Sequence, residues 1–431
     1  MMISKIKSIN SFTKRIIVSV PWSDLEEPFT NHIKLFSKKI NMPGFRKGKV
    51  PQKIILQNYK SELEADFAQS ALDEYYALSL KEQKIVPINR ASIDKLNFAE
   101  KKPLDFEAIV EIKPDFKLPN FSKKMKLKKN NYIPDDFDVD KYVEEIQIQF
   151  SELKTIKDGS KNEDLLLVDM QELDSSGVPL IGKKIENRYI KIGDGFFGGN
   201  NLKKLIGLKK DDIVQIEIPN SNNVITQYLI TINMVQKQIL PDLNQDFLKK
   251  VDPSAKDINE FRKNIMDRIK NQLNGEAEEQ LSEKIIDYFI EQTKLDAPDS
   301  MIESTFNNTL DEARKRNPNN FDEEQYRNEV KPSIIRSIKW YLIKSKLIEE
   351  EGLKVDDKDI EKHIELLIKN SNSNDSEIKR FYKKPSNKAK LSDDLLDRNL
   401  FKLLKEKAII KIIDIKTKDL RKQNESIKKG A

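Results

Sequence analysis

The chain has 431 residues, 38% of them hydrophobic, with 77 Lys+Arg against 71 Asp+Glu and a formal net charge of +6. That length implies two to four domains at about 100–200 residues each. The near-balance of sign excludes a generally polycationic nucleic-acid coat, and the lack of cysteine excludes disulfides, thiol catalysis, zinc fingers and iron–sulfur clusters.

The first residues, MMISKIKSIN, lack the apolar core of a signal peptide. No window approaches the ~18 apolar residues of a membrane span, so a soluble, cytoplasmic protein with no membrane partner is expected. IIVSV (Ile16–Val20) reads as a strand ending at Pro21. Ser23 with Glu26 forms a capping-box pattern that opens a helix towards Ile40, with Pro28 one turn in. Ser61 with Glu64 forms another, opening a helix with the stripe Leu63, Phe67, Ala71, Tyr75 and Leu78. Phe106–Ile112 alternates like a half-buried strand closing the first domain. Residues 114–134, with three prolines, read as an extended linker, and Asp138–Lys157 has helical periodicity.

Eight of the thirteen glycines fall between Gly159 and Gly207, which marks a small turn-rich β domain. Its strand candidates are Leu165–Met170, Ile213–Ile218 and Tyr228–Val235. From Leu240 the chain is expected to be helical. Asn259–Thr293 is one long helix interrupted only by Gly275, and Pro298 suits a first turn. Asp322–Glu351 is another, with Pro332 as a kink and Gly352 as its stop. Helices at Asp357–Lys369, Asp375–Tyr382 and Ser392–Ile413 complete the chain. His32 and His363 are the only histidines, so a histidine-rich metal site or a Ser-His-Asp triad is not expected. GxxxxGK[ST] does not occur, so no nucleotide or other cofactor is expected.

From Pro28 to Ser61 the chain carries Lys34, Lys38, Lys39, Arg46, Lys47, Lys49, Lys53 and Lys60 and no acidic residue. This local electropositive patch suits a polyanion. At its centre, GFRKGKVP (Gly44–Pro51) has glycines four apart with Pro43 and Pro51 outside them. Such a loop between two helices either presents Phe45, Arg46 and Lys47 at a docking tip or is a solvated basic turn with Phe45 folded inward.

The loop GFRKGKVP and the order of segments closely resemble the bacterial trigger factor family, ribosome-associated chaperones. Gly44, Phe45, Arg46, Gly48, Lys49 and Pro51 match the defined positions of the family's Gly-Phe-Arg-x-Gly-Lys-x-Pro loop. ILPDLNQDFLKK (Ile239–Lys250) and LDAPDSMIES (Leu295–Ser304) look like further family segments. The resemblance implies that Phe45, Arg46 and Lys47 dock at the tunnel exit of the large ribosomal subunit, on protein and neighbouring rRNA. It implies a helical cradle for nascent and unfolded polypeptides, ATP-independent help with folding and export, and a homodimer of the free protein that covers the docking face.

The fold class it implies is multidomain α+β: an N-terminal α+β docking domain, an inserted FKBP-like antiparallel β domain and a mostly α-helical C-terminal domain with arms. The expected bounds are 1–113 for docking, 114–158 for a linker and helix joining the C-terminal body, 159–238 for the β domain and 239–431 for the helical chaperone domain. In the family the β domain is an FKBP-type prolyl cis/trans isomerase with an aromatic-lined pocket. Here Asp169, Met170, Phe196, Phe197 and Tyr228 are the residues that would line it. Met170 stands where an aromatic is expected, and Phe197–Asn200 replaces the usual Pro-Gly-Phe core. The pocket is thus expected to be degenerate, with catalysis weak or lost. Phe306, Trp340, Phe381 and Phe401 are expected to be packing residues rather than client contacts. The rival readings are a soluble prolyl isomerase and an RNA-binding protein using the Lys34–Lys60 patch.

Overall fold

The computed structural model describes residues 2–46, 48–122, 124–219, 224–316, 321–370 and 375–430, the last seven by their backbone. Strands β1 (Ile3–Ser8) and β2 (Thr13–Val20) precede helices α1 (Trp22–Lys39), α2 (Gln52–Asn58) and α3 (Lys60–Glu82). Then come β3 (Ser92–Asn97), β4 (Leu104–Glu111), β5 (Lys126–Ile133), α4 (Asp136–Gln149) and β6 (Glu152–Thr155). The glycine-rich stretch supplies β7 (Leu165–Leu173), β8 (Pro179–Lys191), α5 (Gly199–Leu205), β9 (Ile213–Pro219) and β10 (Ile225–Ile239). The remainder holds α6 (Gln245–Val251), α7 (Ile258–Gln292), α8 (Asp299–Arg316), α9 (Glu323–Glu350), α10 (Asp357–Asn370), α11 (Asp375–Tyr382) and α12 (Pro385–Lys407). Strand β11 (Ile409–Lys416) and α13 (Thr417–Gly430) end it.

The chain divides into two compact units, Met1–Leu127 with Leu281–Lys411, and Lys128–Gln280 with Ile412–Ala431. In the first, an antiparallel sheet of order β1-β2-β4-β3 carries α1 and α3. Strand alternation buries Ile16, Val18 and Val20 of β2 and Leu104, Phe106, Ala108 and Val110 of β4. Leu25, Phe29, Ile33 and Phe36, spaced four, four and three apart, form the α1 stripe that meets them. The second core of this unit is helical, built on Phe289 of α7, Phe306 of α8, Leu342 of α9 and Leu400 of α12.

In the second unit β6-β10-β7-β8 form one sheet, to which β9 adds on β10. Helix α5 covers its apolar face through Leu205. A separate small core joins Val139 and Val143 of α4 to Leu248 of α6 and Phe261 of α7.

Several sequence expectations are corrected. Helix α1 starts at Pro21 with no side-chain cap, and the Ser23 hydroxyl bonds Asp24. Helix α3 starts at Lys60 with Tyr59 at its N-cap, two residues before Ser61, and the Glu64 carboxylate instead accepts from the Glu100 N–H. Leu78 is exposed while Ser79 is buried, because the stripe drifts around the helix over six turns. Residues 114–134 are no free linker: Phe116, Phe121 and Met125 are buried in the helical core, and β5 pairs β11. The helix expected over Asp138–Lys157 stops at Gln149, after which β6 pairs β10. The last helix stops at Lys407, because the β-branched run at Ile409–Lys416 forms β11. Helix α7 continues through Gly275, where flanking buried side chains such as Ala277 and Leu281 outweigh a propensity cost of about 1 kcal/mol.

Candidate functional site

The basic loop joins α1 to α2 and is built from two consecutive turns. The Phe45 N–H donates to the Met42 carbonyl at 3.2 Å, with Pro43 and then Gly44 at the turn's centre and φ +86° at Gly44. Proline followed by a left-handed glycine is the type II pattern. The Lys49 N–H donates to the Arg46 carbonyl at 2.9 Å, and Gly48 again holds the left-handed position at φ +80°. The Gly48 N–H also donates to the Ser37 carbonyl at 3.2 Å, which ties the loop back to α1. Val50 is buried behind it, and Pro51 starts α2.

Between the two turns stand Phe45 and Arg46. Phe45 is 37% exposed and Arg46 is exposed, so the ring is not folded into the domain core. Lys47 lies outside the described residues. Lys38, Arg46, Lys49 and Lys53 have no carboxylate partner among the described residues. Lys39 is paired with Asp66 at 3.1 Å, and Lys60 lies 3.7 Å from Glu100. The surface around the tip therefore keeps unneutralised cations beside an exposed aromatic ring.

The five pocket candidates of the β domain divide between two faces and the solvent. Met170 is 2% exposed in the core, and Phe197 and Tyr228 pack against the same core. Burial at Tyr228 raises its phenol pKa. Phe196 is 56% exposed. Asp169 alternates with Val168 and Met170 on β7 and so lies on the reverse face. There it accepts the Asn187 N–H at 2.9 Å and the Asn233 side-chain amide at 2.7 Å, and it pairs with Lys184 at 3.1 Å. The Asn187 N–H bond first, then Asn233 and Lys184, hold its carboxyl below the usual aspartate range against the opposing effect of burial. Asn187 has φ +54° where β8 bulges against β7, and Asn233 sits where β10 bulges. The carboxylate thus fastens two strand irregularities together.

Asn201 was not singled out in the sequence. It is buried at the start of α5 and donates to the carbonyls of Phe196 at 2.8 Å and Glu217 at 2.7 Å, so it fixes the Gly-Phe-Phe turn to β9. Its asparagine in place of an apolar residue on a short helix was the available signal. Among Phe306, Trp340, Phe381 and Phe401, the first is buried, and Trp340 and Phe401 pack on the helical core. Phe381, on α11, is 55% exposed, against expectation. Nearby, Ile360, Ile364 and Ile368 repeat every four residues along α10 and line an open groove of about 490 Å³. Glu361, Glu365, Lys379 and Lys383 rim it. No described helix is long and apolar enough to cross a membrane.

Two family models match the chain, one described as bacterial trigger factor protein over residues 2–146 and one as its C-terminus over 257–406. Together they cover more than half of it. The chain is 24% identical over 422 residues to the trigger factor of Desulfotalea psychrophila, covering 94% of this chain and 95% of that protein. It is 25% identical over 374 residues to that of Chloroherpeton thalassium, covering 83% and 85%. A solved structure reported for promiscuous substrate recognition by the trigger factor chaperone matches 93% of this chain and 98% of its own at TM-score 0.49 and 19% identity. The chain belongs to the bacterial trigger factor family of ribosome-associated chaperones.

Proposed function

We propose that Gly44–Pro51 is the ribosome-docking element of this chaperone, at the tunnel exit of the large subunit, with Phe45 as apolar anchor and Arg46 as charged contact. The observation that carries the reading is the pair of turns that hold an exposed ring between two left-handed glycines. A tip whose backbone is fixed in advance loses little entropy on docking, and aromatic and arginine side chains are the usual energetic anchors of an interface. The unpaired Lys38, Lys49 and Lys53 favour rRNA as the neighbouring contact. Lys47 belongs to the same element by sequence. Self-association of the free protein through this face is part of the same reading.

Nascent and unfolded polypeptides are the clients, and residues 239–431 with the segment 114–158 form the body that holds them. The α10 groove, apolar at its floor and charged of both signs at its rim, suits clients of no fixed sequence. Residues 159–238 form an FKBP-like domain in which isomerase turnover is weak or lost. Only Met170, Phe197 and Tyr228 of its five candidates share a face, and Asp169 is engaged elsewhere.

The test is co-sedimentation with ribosomes of the Phe45→Ala/Arg46→Ala double variant. Pelleting should fall at least tenfold, from the loss of about 2 kcal/mol or more. Suppression of aggregation of an unfolded protein in solution should be unchanged. Wild-type pelleting by the double variant would refute the docking assignment.

A further inference from the structure

We propose that the edge of β5 facing α7 is a strand-addition site for an extended stretch of unfolded polypeptide, a reading that rests on the chaperone function above. A groove of about 350 Å³ is lined by residues 130–134 in unbroken succession and by Lys270, Asn271 and Asn274 of α7. Successive residues of a strand point to opposite faces. A cavity that touches the last four strand residues in a row therefore runs along the strand's edge, where backbone N–H and C=O groups lie. Strand β5 belongs to a two-stranded sheet of order β11-β5, so its second edge pairs with no other strand among the described residues. At about 3.3 Å per residue, the four lining residues that belong to β5 offer an edge of roughly 13 Å, enough for a short extended segment.

The groove's side chains fit the same ligand. A carboxamide carries both donors and an acceptor and so can pair with a peptide group in either direction. Asn130 donates to the Tyr132 hydroxyl at 3.0 Å, and that hydroxyl donates to Gln280 at 3.3 Å, which sets the strand-side amide in place. Lys129 is held by Glu278 and by Asn274 at 3.3 Å, so its charge is compensated and does not select an anion. The Asn271 side chain is exposed and makes no hydrogen bond within the described residues. Pro134, with no N–H, closes one end of the edge. Backbone pairing is blind to side-chain sequence. It would thus hold clients by a feature common to all of them, where apolar grooves hold only their apolar residues.

The absence of native cysteine makes a single introduced one a unique label. The full chain carrying Asn271→Cys is coupled to an environment-sensitive fluorophore, and Leu366→Cys on α10 serves as the control position. The probe is a short peptide of alternating valine and threonine, together with its twin N-methylated at every second amide. The label at position 271 should respond to the plain peptide and respond about tenfold more weakly to the methylated twin, which has lost two or three backbone donors. Asn271→Arg/Asn274→Arg, which fills the groove from the helix side, should weaken plain-peptide binding by a similar factor. Equal response to both peptides, or a silent label at 271 while the protein still suppresses aggregation, overturns the strand-addition site and leaves the chaperone reading standing. If wild-type protein neither binds the peptide nor suppresses aggregation, both readings fall.

Discussion

Replacing Asp169 by alanine separates a structural carboxylate from a catalytic one. The side chain accepts two hydrogen bonds, from the Asn187 N–H at 2.9 Å and the Asn233 amide at 2.7 Å, with a lysine at 3.1 Å. Bonds to an ionised acceptor contribute about 1.5–3 kcal/mol each when buried. The Asp169 side chain is 20% exposed, so water recovers part of that when it is removed. Lys184 is 45% exposed and shared with Glu186, so that pair adds little. The expected loss is about 2–3 kcal/mol. It should appear as faster hydrogen exchange in β7, β8 and β10, with the sheet of the first unit unaffected. Because the native carboxyl titrates below its unfolded value, its contribution is present at pH above the ordinary aspartate pKa of about 3.9 and is lost as pH falls through the depressed native value. Asp169→Asn should remove that acid dependence. If exchange is unchanged while turnover of a proline-containing peptide disappears, Asp169 faces a substrate and the structural role is wrong.

Gly48→Val puts a β-branched residue at φ +80° and should cost at least about 1–2 kcal/mol locally, reshape the tip, and reduce ribosome pelleting without changing anti-aggregation activity. Phe289→Ala removes a fully buried ring that contacts Phe121 at 5.0 Å and Trp340 at 6.4 Å between centroids. It should cost about 3–5 kcal/mol, read as a lower urea midpoint by Trp340 fluorescence, while Leu366→Ala stays within about 0.5 kcal/mol. Arg421 anchors α13 by bonding Asp135 at 2.6 Å and also Asp138. Burial raises the Asp135 pKa, but the hydrogen bond and charge of Arg421 leave it below the ordinary value. Hydrogen exchange in α13 should rise in Arg421→Ala, and in the wild type only as pH falls below the aspartate range.

What the sequence made legible follows local physics. Long periodic helices such as α7 and α9 were readable within a residue or two, because their burial stripes and the Asp322 cap are written in nearest neighbours. The basic loop was readable because Pro43, Gly44 and Gly48 dictate turns whatever surrounds them. The failures were non-local. Strand β8 is exposed along most of its length and holds no alternating stripe, and it exists because β7 pairs with it. Strand β11 and the docked segment around Phe121 depend on partners hundreds of residues away. Both capping boxes failed because Pro21 and Tyr59 already start the helices upstream. The sequence could group Asp169 with Met170, but only the pleat separates adjacent residues onto opposite faces.

Docking and holding make opposite demands on a surface. The loop tip is stiffened by two turns and a tie to Ser37, so the docking proposed for it needs few contacts to be specific and long-lived. In the proposed reading the α10 groove must let its clients go. Fully burying a large apolar side chain is worth about 1.5–3 kcal/mol. Ile364 and Ile368 of the groove's lining are already partly covered, so each offers less than half of that. Two such contacts give at most about 3 kcal/mol, which by itself is weaker than millimolar binding. Retention of a client therefore has to come from several such sites acting at once on one chain, and the effective concentration of the later contacts supplies the strength that no single groove has. A client that folds withdraws its apolar residues and its extended backbone together. Each lost contact lowers the multiplicity that held it, and release follows from folding itself.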